Sequence, residues 1–160
     1  MNGAKGRGDG LMPDIDAYNR QIIAEFRARK GAAGQLQGLS LLLLHHRGAK
    51  TGTERVTPLA YWQITSTSVA VVASNFGSAR HPAWYHNLIA HPAATAEIGP
   101  ATWSVRARVA GPGERSRLLE RITAKSPGVA AAVSRTSRQI PLVILDLLTQ
   151  VDHEHRGPPG

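Results

Sequence analysis

The 160-residue sequence predicts an α+β fold that is mainly β, a small antiparallel barrel or split barrel with helices at its periphery. Three observations predict it. Apolar runs of strand length crowd the middle of the chain. Turn chemistry separates them, as in "GAKTG" at 48–52, "TSTS" at 65–68 and "GP" at 99–100. Segments of helical period sit between and around the strands, without the strict strand–helix alternation of a doubly wound sheet.

The elements follow in order. Residues 1–12 are rich in glycine and charge and read as disordered. Residues 14–30 read as a helix, because Ile15, Tyr18, Ile22 and Phe26 recur at three- and four-residue steps, with Asp14 and Asp16 near its start. Its other face is basic, through Arg20, Arg27, Arg29 and Lys30, so the helix either docks on the body or meets a membrane surface. "GAAGQLQG" at 31–38 is a linker. Strands are expected at 40–46, 55–64, 68–74, 94–99, 101–110 and 141–148. Pro58 marks the second as an edge strand or a bulge, since it has no N–H for a ladder. Pro82 suits the first turn of a short helix at 82–90. A longer helix spans 112–125, with Leu118, Leu119 and Ile122 as its apolar stripe, and 126–139 reads as a helical turn and loop. The expected division is therefore a flexible segment with one amphipathic helix (1–38), the barrel (39–148) and a disordered tail (149–160).

Composition narrows the function. Nineteen Lys and Arg against eleven Asp and Glu give a net charge of +8, which favours anionic partners. No cysteine is present, so disulfides and thiolate metal sites are excluded. No apolar run reaches the ~20 residues of a membrane span, and the first residues lack a signal-type apolar region. The expectation is a cytoplasmic protein, with membrane association through residues 14–30 as a variant.

Several motifs fail. "GAKTG" is not a phosphate loop: aligned on Lys50 and Thr51, Ala49 and Leu44 occupy the positions of both required glycines. His81, His86 and His91 are five apart, so on a helix successive side chains diverge by roughly 140°. They read as separate surface or capping histidines, and no metal site is expected. His45 and His46 are neighbours on a strand and point to opposite faces. No Ser–His–Asp order is identifiable, and no carboxylates pair. Any catalysis would then rest on a bound cofactor.

Two segments hold together. "RGAKTGTERVTP" at 47–58 offers an apolar strand with a basic end. "VVASNFGSARHPAWYHNLIAHP" at 71–92 offers a strand end, a Gly/Ser loop with Arg80, and a helix start carrying Trp84. Loop and helix-start amides favour an anion, and Trp84 supplies an aromatic wall, a combination suited to a flat ring with an anionic tail. With "TSRQIP" at 136–141, these blocks resemble the deazaflavin-dependent nitroreductase family, also called the coenzyme F420-dependent quinone reductases, over about residues 41–146.

The resemblance implies a split barrel like that of flavin-mononucleotide-binding oxidases, and coenzyme F420, an 8-hydroxy-5-deazaflavin whose tail bears a phosphate and glutamates. It implies that Lys50, Thr51 and Arg55 meet the phosphate and acidic tail. Val56, Thr57 and Pro58 would line one side of the ring by backbone and apolar contact. Ala73, Ser74 and Asn75 would meet the ring edge, and Gly77, Ser78, Ala79 and Arg80 would complete an anion loop. Trp84, Asn87 and Leu88 would close the pocket. Two features depart from the family pattern, at four positions. Asn75 stands where members often carry lysine. Ser126, Val129 and Ala132 stand where the best-studied nitroreductase type has tyrosines at its acceptor site, which implies a more open acceptor pocket.

The activity expected is hydride transfer from reduced F420 to a quinone-like acceptor, with activated alkenes and nitro compounds as further classes. Ser74 is the candidate catalytic residue, polarising an acceptor carbonyl. The rivals are a flavin-mononucleotide oxidoreductase on the same fold, a non-catalytic cofactor carrier, and a basic nucleic-acid-binding module. Aromatics make up only 5% of the chain, too few for the stacking surface the last requires, so no nucleic-acid partner is expected. Barrels of this type often pair, which makes a homodimer a further expectation.

Overall fold

The computed structural model describes residues 15–29, 35–36 and 39–151. Helix α1 spans Ile15–Ala28. Strands β1 (Gln35–Leu36), β2 (Leu39–Arg47), β3 (Glu54–Ala60), β4 (Trp62–Thr65) and β5 (Ser68–Val72) follow. A 3₁₀ turn at Asn75–Gly77 leads to α2 (Ala83–Ala90), then β6 (Ala93–Ile98) and β7 (Ala101–Val109). Helices α3 (Pro112–Lys125) and α4 (Pro127–Arg135) precede β8 (Leu142–Val151).

All ladders are antiparallel, in the order β1-β2-β6-β7-β8-β5-β4, with β3 also paired to β2. Strands β3 and β4 thus lie toward opposite ends of the path, yet only Tyr61 separates them in the chain. Tyr61 N–H bonds the Ser40 carbonyl at 3.0 Å, and there the chain passes from one end of the sheet to the other. Among the described residues no ladder joins β3 to β4, so the sheet curls into a barrel that stays split. Pro58 fits this layout: it sits in β3 opposite Leu43, on a strand paired along one edge.

The alternation of strand side chains creates two cores. Inside the curl pack Leu42, Leu44, Val69, Val71, Val143 and Leu145, with Trp84 and Leu88 of α2. On the other face of β5 and β8, Ala70, Leu142 and Ile144 meet Leu118 and Ile122 of α3 and Val129 of α4. Residues 69–71 of β5 and 142–145 of β8 are therefore buried on two sides, and this is why those stretches are apolar without a break.

Some expectations need correction. The run 55–64 is two strands broken at Tyr61. The stretch 126–139 contains a nine-residue helix, started by Pro127 and held by Val129 in the second core. Strand β8 continues to Val151, three residues into the stretch read as tail. Part of the 31–38 linker is strand β1, paired with Leu39 and Ser40. Residues 1–12, most of 31–38 and 152–160 lie outside the described residues.

Helix α1 docks on the body. Phe26 is 2% exposed, and Arg27 forks onto Glu97 of β6 at 2.6 and 3.3 Å. Tyr18, Arg20 and Arg29 face outward. No described helix is long and apolar enough to cross a membrane.

Candidate active site

The basic hairpin between β2 and β3 is a closed turn. Gly48 N–H bonds the Thr53 carbonyl at 2.9 Å, and Gly52 N–H bonds the Gly48 carbonyl at 2.8 Å. Gly52 has φ +72°, which a side chain would strain. A Cβ on Gly48 would stand 2.5 Å from Thr51 Oγ1, which itself accepts from Thr53 N–H at 3.2 Å. The turn leaves Lys50 and Thr51 exposed, and Arg55 is exposed at the start of β3.

A neutral relay fastens this hairpin to α2. Ala49 N–H donates to Asn87 Oδ1 at 2.9 Å. Asn87 Nδ2 lies 2.9 Å from His46 Nδ1, and His46 Nε2 lies 2.8 Å from Thr57 Oγ1. His46 and Asn87 are 4% and 6% exposed. Burial, then the charge of Arg55 and the neighbouring His45, push the His46 pKa down to about 4, so the ring is neutral at pH 7. His45 points the opposite way, to Glu54 and Glu97 at 3.0 and 2.6 Å.

Strand register sorts the β3 residues. Arg55, Thr57 and Leu59 lie opposite His46, Leu44 and Leu42 and share their face, the one that packs inside the curl. Val56 and Pro58 lie opposite His45 and Leu43, on the other face. Thr57 alone of these three turns its side chain to His46, so on that face Val56 and Pro58 present only their backbone.

The second segment is clamped by one arginine. Arg138 Nη2 donates to the carbonyls of Ala73 and Ser74 at 3.1 and 2.9 Å, and its Nε to that of Ser78 at 2.8 Å. Its Nη1 donates to His81 Nδ1 at 2.7 Å. His81 is held below the usual histidine range by burial, then by Arg138 and His86. Asn75 has φ +47° and its amide bonds Ser78 Oγ and the Arg80 carbonyl. Gly77 has φ +80°, and a Cβ there would come within 2.9 Å of the Ala132 carbonyl and of Arg135 Cβ, so the loop lies directly on α4.

The expected site residues divide accordingly. Lys50, Arg55 and Arg80 are exposed cations with no ion pair among the described residues. The anion loop is weaker than expected, because the amides of Gly77, Ser78 and Arg80 bond within the loop. What remains there for an anion is Arg80's side chain and the exposed Ala79. Trp84 is 7% and Leu88 1% exposed, both in the main core beside Ala73, so Leu88 packs rather than walls an open groove. Ser126, Val129 and Ala132 are 3%, 9% and 4% exposed, at the α3–α4 junction and beneath α4. They are covered by the protein's own packing, so the open acceptor pocket expected of them is not formed by these three. His81 and His86 do meet, at 5.8 Å between ring centroids with Tyr85 beside them. His81 precedes α2, so the helical angle between them does not apply.

Two residues that fasten these segments, His46 and Arg138, are hard to assign from sequence. Each has a signal: His46 shares a strand face with Leu42 and Leu44, and Arg138 stands inside the "TSRQIP" block.

Comparison with known proteins first defines the class. The fold is that of split barrels: a Listeria innocua protein of pyridoxamine 5′-phosphate oxidase type superposes with a TM-score of 0.50 at 9% identity, over 82% of this chain and 94% of that one. A solved F420-H2 dependent reductase, FDR-A, matches with a TM-score of 0.60 at 30% identity, over 66% of this chain and 93% of that one. The profile of the F420H(2)-dependent quinone reductase family matches residues 18–146, and the chain belongs to that family. Among its relatives, Rv3178 of Mycobacterium tuberculosis is 41% identical over 71% of this chain and 94% of that protein. The F420H(2)-dependent quinone reductase Rv1261c of the same species is 38% identical over 65% of this chain and 71% of that protein. The protein is an F420-dependent reductase, and coenzyme F420 is its cofactor.

Proposed function

We propose that the chain moves hydride from reduced F420 to a quinone-like acceptor, and that the split barrel, residues 39–148 with β8 carried on to Val151, is the cofactor-binding domain. One observation carries the placement of the cofactor: Lys50 and Arg55 are exposed, lack an ion pair among the described residues, and sit on a hairpin locked to α2 through Asn87. The donor set fits the group. A tail of phosphate and carboxylates needs cations that are not already paired, and three are present with Arg80. When bound, the deazaflavin supplies the two-electron hydride chemistry.

The chain's own residues bind and orient. Lys50 and Arg55 grip the acidic tail, with the Thr51 hydroxyl as a further donor to the phosphate. Thr57 and the backbone of Val56 and Pro58 flank the ring, and Ala73, Ser74 and Asn75 meet its edge. Ser74 keeps its backbone pinned by Arg138 while its hydroxyl is free to turn toward an acceptor carbonyl as negative charge develops there. A neighbour at 26% identity and a TM-score of 0.63 is described as a domain-swapped dimer, and we extend pairing to this chain.

The test is oxidation of reduced F420 by menadione, with and without purified protein, beside fluorescence titration with F420 and with flavin mononucleotide. Acceleration together with preference for F420 is expected; tight binding without acceleration makes the chain a carrier instead. Lys50→Ala and Arg55→Ala should each weaken F420 binding about three- to tenfold, more for longer glutamate tails and at low salt. Unchanged affinity in both removes the tail assignment.

A further inference from the structure

The relay behind β3 has a direction. Ala49 N–H can only donate, so the Asn87 atom facing it is the carbonyl oxygen. The amide nitrogen of Asn87 therefore faces His46 Nδ1, and it too can only donate. Nδ1 must then be unprotonated. A neutral imidazole with a bare Nδ1 carries its proton on Nε2, and that N–H points at Thr57 Oγ1. The Thr57 oxygen is thus an acceptor toward the protein, and its single proton is left to point away from His46.

We propose that His46, oriented by Asn87, is a positioning residue that makes the Thr57 hydroxyl a donor aimed at an oxygen acceptor of the bound cofactor. Arg55 shares the strand face with Thr57, two residues away, so both groups at this place are donors. Such a pair selects a phosphate, carboxylate or carbonyl oxygen and rejects a donor group at the same spot. The inference deepens the proposed function and rests on its placement of the cofactor against β3. It replaces the passive, apolar contact expected of Thr57 by a directed hydrogen bond.

The test joins a spectrum to a binding cycle. In ¹⁵N-labelled protein without cofactor, His46 should show a protonated Nε2 and a bare Nδ1 at pH 7. In F420 titrations Thr57→Val should weaken binding about tenfold and Thr57→Ser by less than about twofold. His46→Met should weaken it about three- to fivefold. His46→Gln, whose amide can accept from Asn87 and donate to Thr57, should restore most of that. If His46 acts through Thr57, adding His46→Met to Thr57→Val costs no further affinity. Thermal melts of each variant establish that it is folded at the assay temperature.

A proton on Nδ1, a Thr57→Val protein that binds as well as wild type, or effects that multiply in the double variant would each overturn the proposal. Failure of the cofactor placement reads differently: Lys50→Ala and Arg55→Ala would also leave affinity unchanged, while the ¹⁵N result would stand.

Discussion

The hairpin and the 73–81 loop, the two segments between which the cofactor is proposed to lie, are fastened in opposite ways. Behind the hairpin, four groups of ordinary polarity satisfy one another in a line, from Ala49 through Asn87 and His46 to Thr57. Behind the 73–81 loop, a single guanidinium holds three carbonyls and a histidine. The neutral line gives each atom one role and leaves one proton over at its end. The charged clamp draws its loop's carbonyls inward, and the loop's amides at 77, 78 and 80 close on the loop itself. The first arrangement prepares polarity for a ligand; the second prepares shape. On the proposed placement of the cofactor, recognition falls to the hairpin, whereas the loop holds Ser74 and Asn75 in place.

Breaking the clamp should have the largest effect. Arg138→Met removes the guanidinium donor from the carbonyls of Ala73, Ser74 and Ser78 and from His81, leaving Ser74 only its bond from Gly77 N–H, and hydrogen bonds to a charged donor contribute about 1.5–3 kcal/mol each before the loop relaxes. Urea unfolding should show a loss of about 2–4 kcal/mol, with F420 affinity down by at least about tenfold. Arg138→Lys should recover little, since an ammonium cannot reach all four acceptors from one planar fork. Wild-type stability in Arg138→Met would mean that the contact with α4 at Gly77 shapes the loop unaided.

The neutral line is tested with acid. The His46 pKa is depressed from 6.5 to about 4 in the folded protein, so the unfolded chain binds the extra proton first. Stability from this group is therefore complete above pH 6.5, falls as the pH drops through that window, and is gone below about 4. The expected loss is about 1–3 kcal/mol, reduced toward the lower figure by whatever solvent reaches the ring. His46→Gln should lack this component of the unfolding profile between pH 7 and 4.5. A profile identical to wild type would show that the ring is not held neutral.

How much of this was legible in the sequence depends on range. Helix 112–125 is bounded as the structure has it, because Pro112 starts it and Leu118 and Ile122 repeat at helical spacing. Pro58 marks an edge because a missing N–H is a local fact. Strand alternation alone separates Thr57 from Val56 and Pro58. Helix α4 is only partly legible in this way: Gly128 and Ser134 offset the helix-forming Ala130, Ala131 and Ala132, and burial of Val129 and Ala132 decides for the helix. Nor is the clamp, since Arg138 binds partners 57 to 65 residues away, a separation that no local pattern encodes. His46 lies between these cases. Its strand face is readable, but its tautomer depends on which atom of Asn87 faces Ala49.

The α1 tether sharpens the contrast as a control, because it is charged like the clamp but lies more in water. Arg27 is 49% exposed where it meets Glu97, which also accepts from His45. Burial raises the Glu97 pKa, but hydrogen bonds from Arg27 and His45 outweigh it, and the carboxyl sits below its usual range. A depressed carboxylate stabilises the fold above its unfolded pKa and loses that contribution as pH falls through the folded value. Glu97→Gln should cost only about 0.5–1 kcal/mol at pH 7 and flatten that part of the acid profile. F420 affinity should not change, because Glu97 faces α1 with His45, across β2 from His46 and Thr57. A fall in affinity comparable to that of Thr57→Val would mean that the two faces of β2 are coupled, and the separation between recognition at the hairpin and anchoring elsewhere would fail.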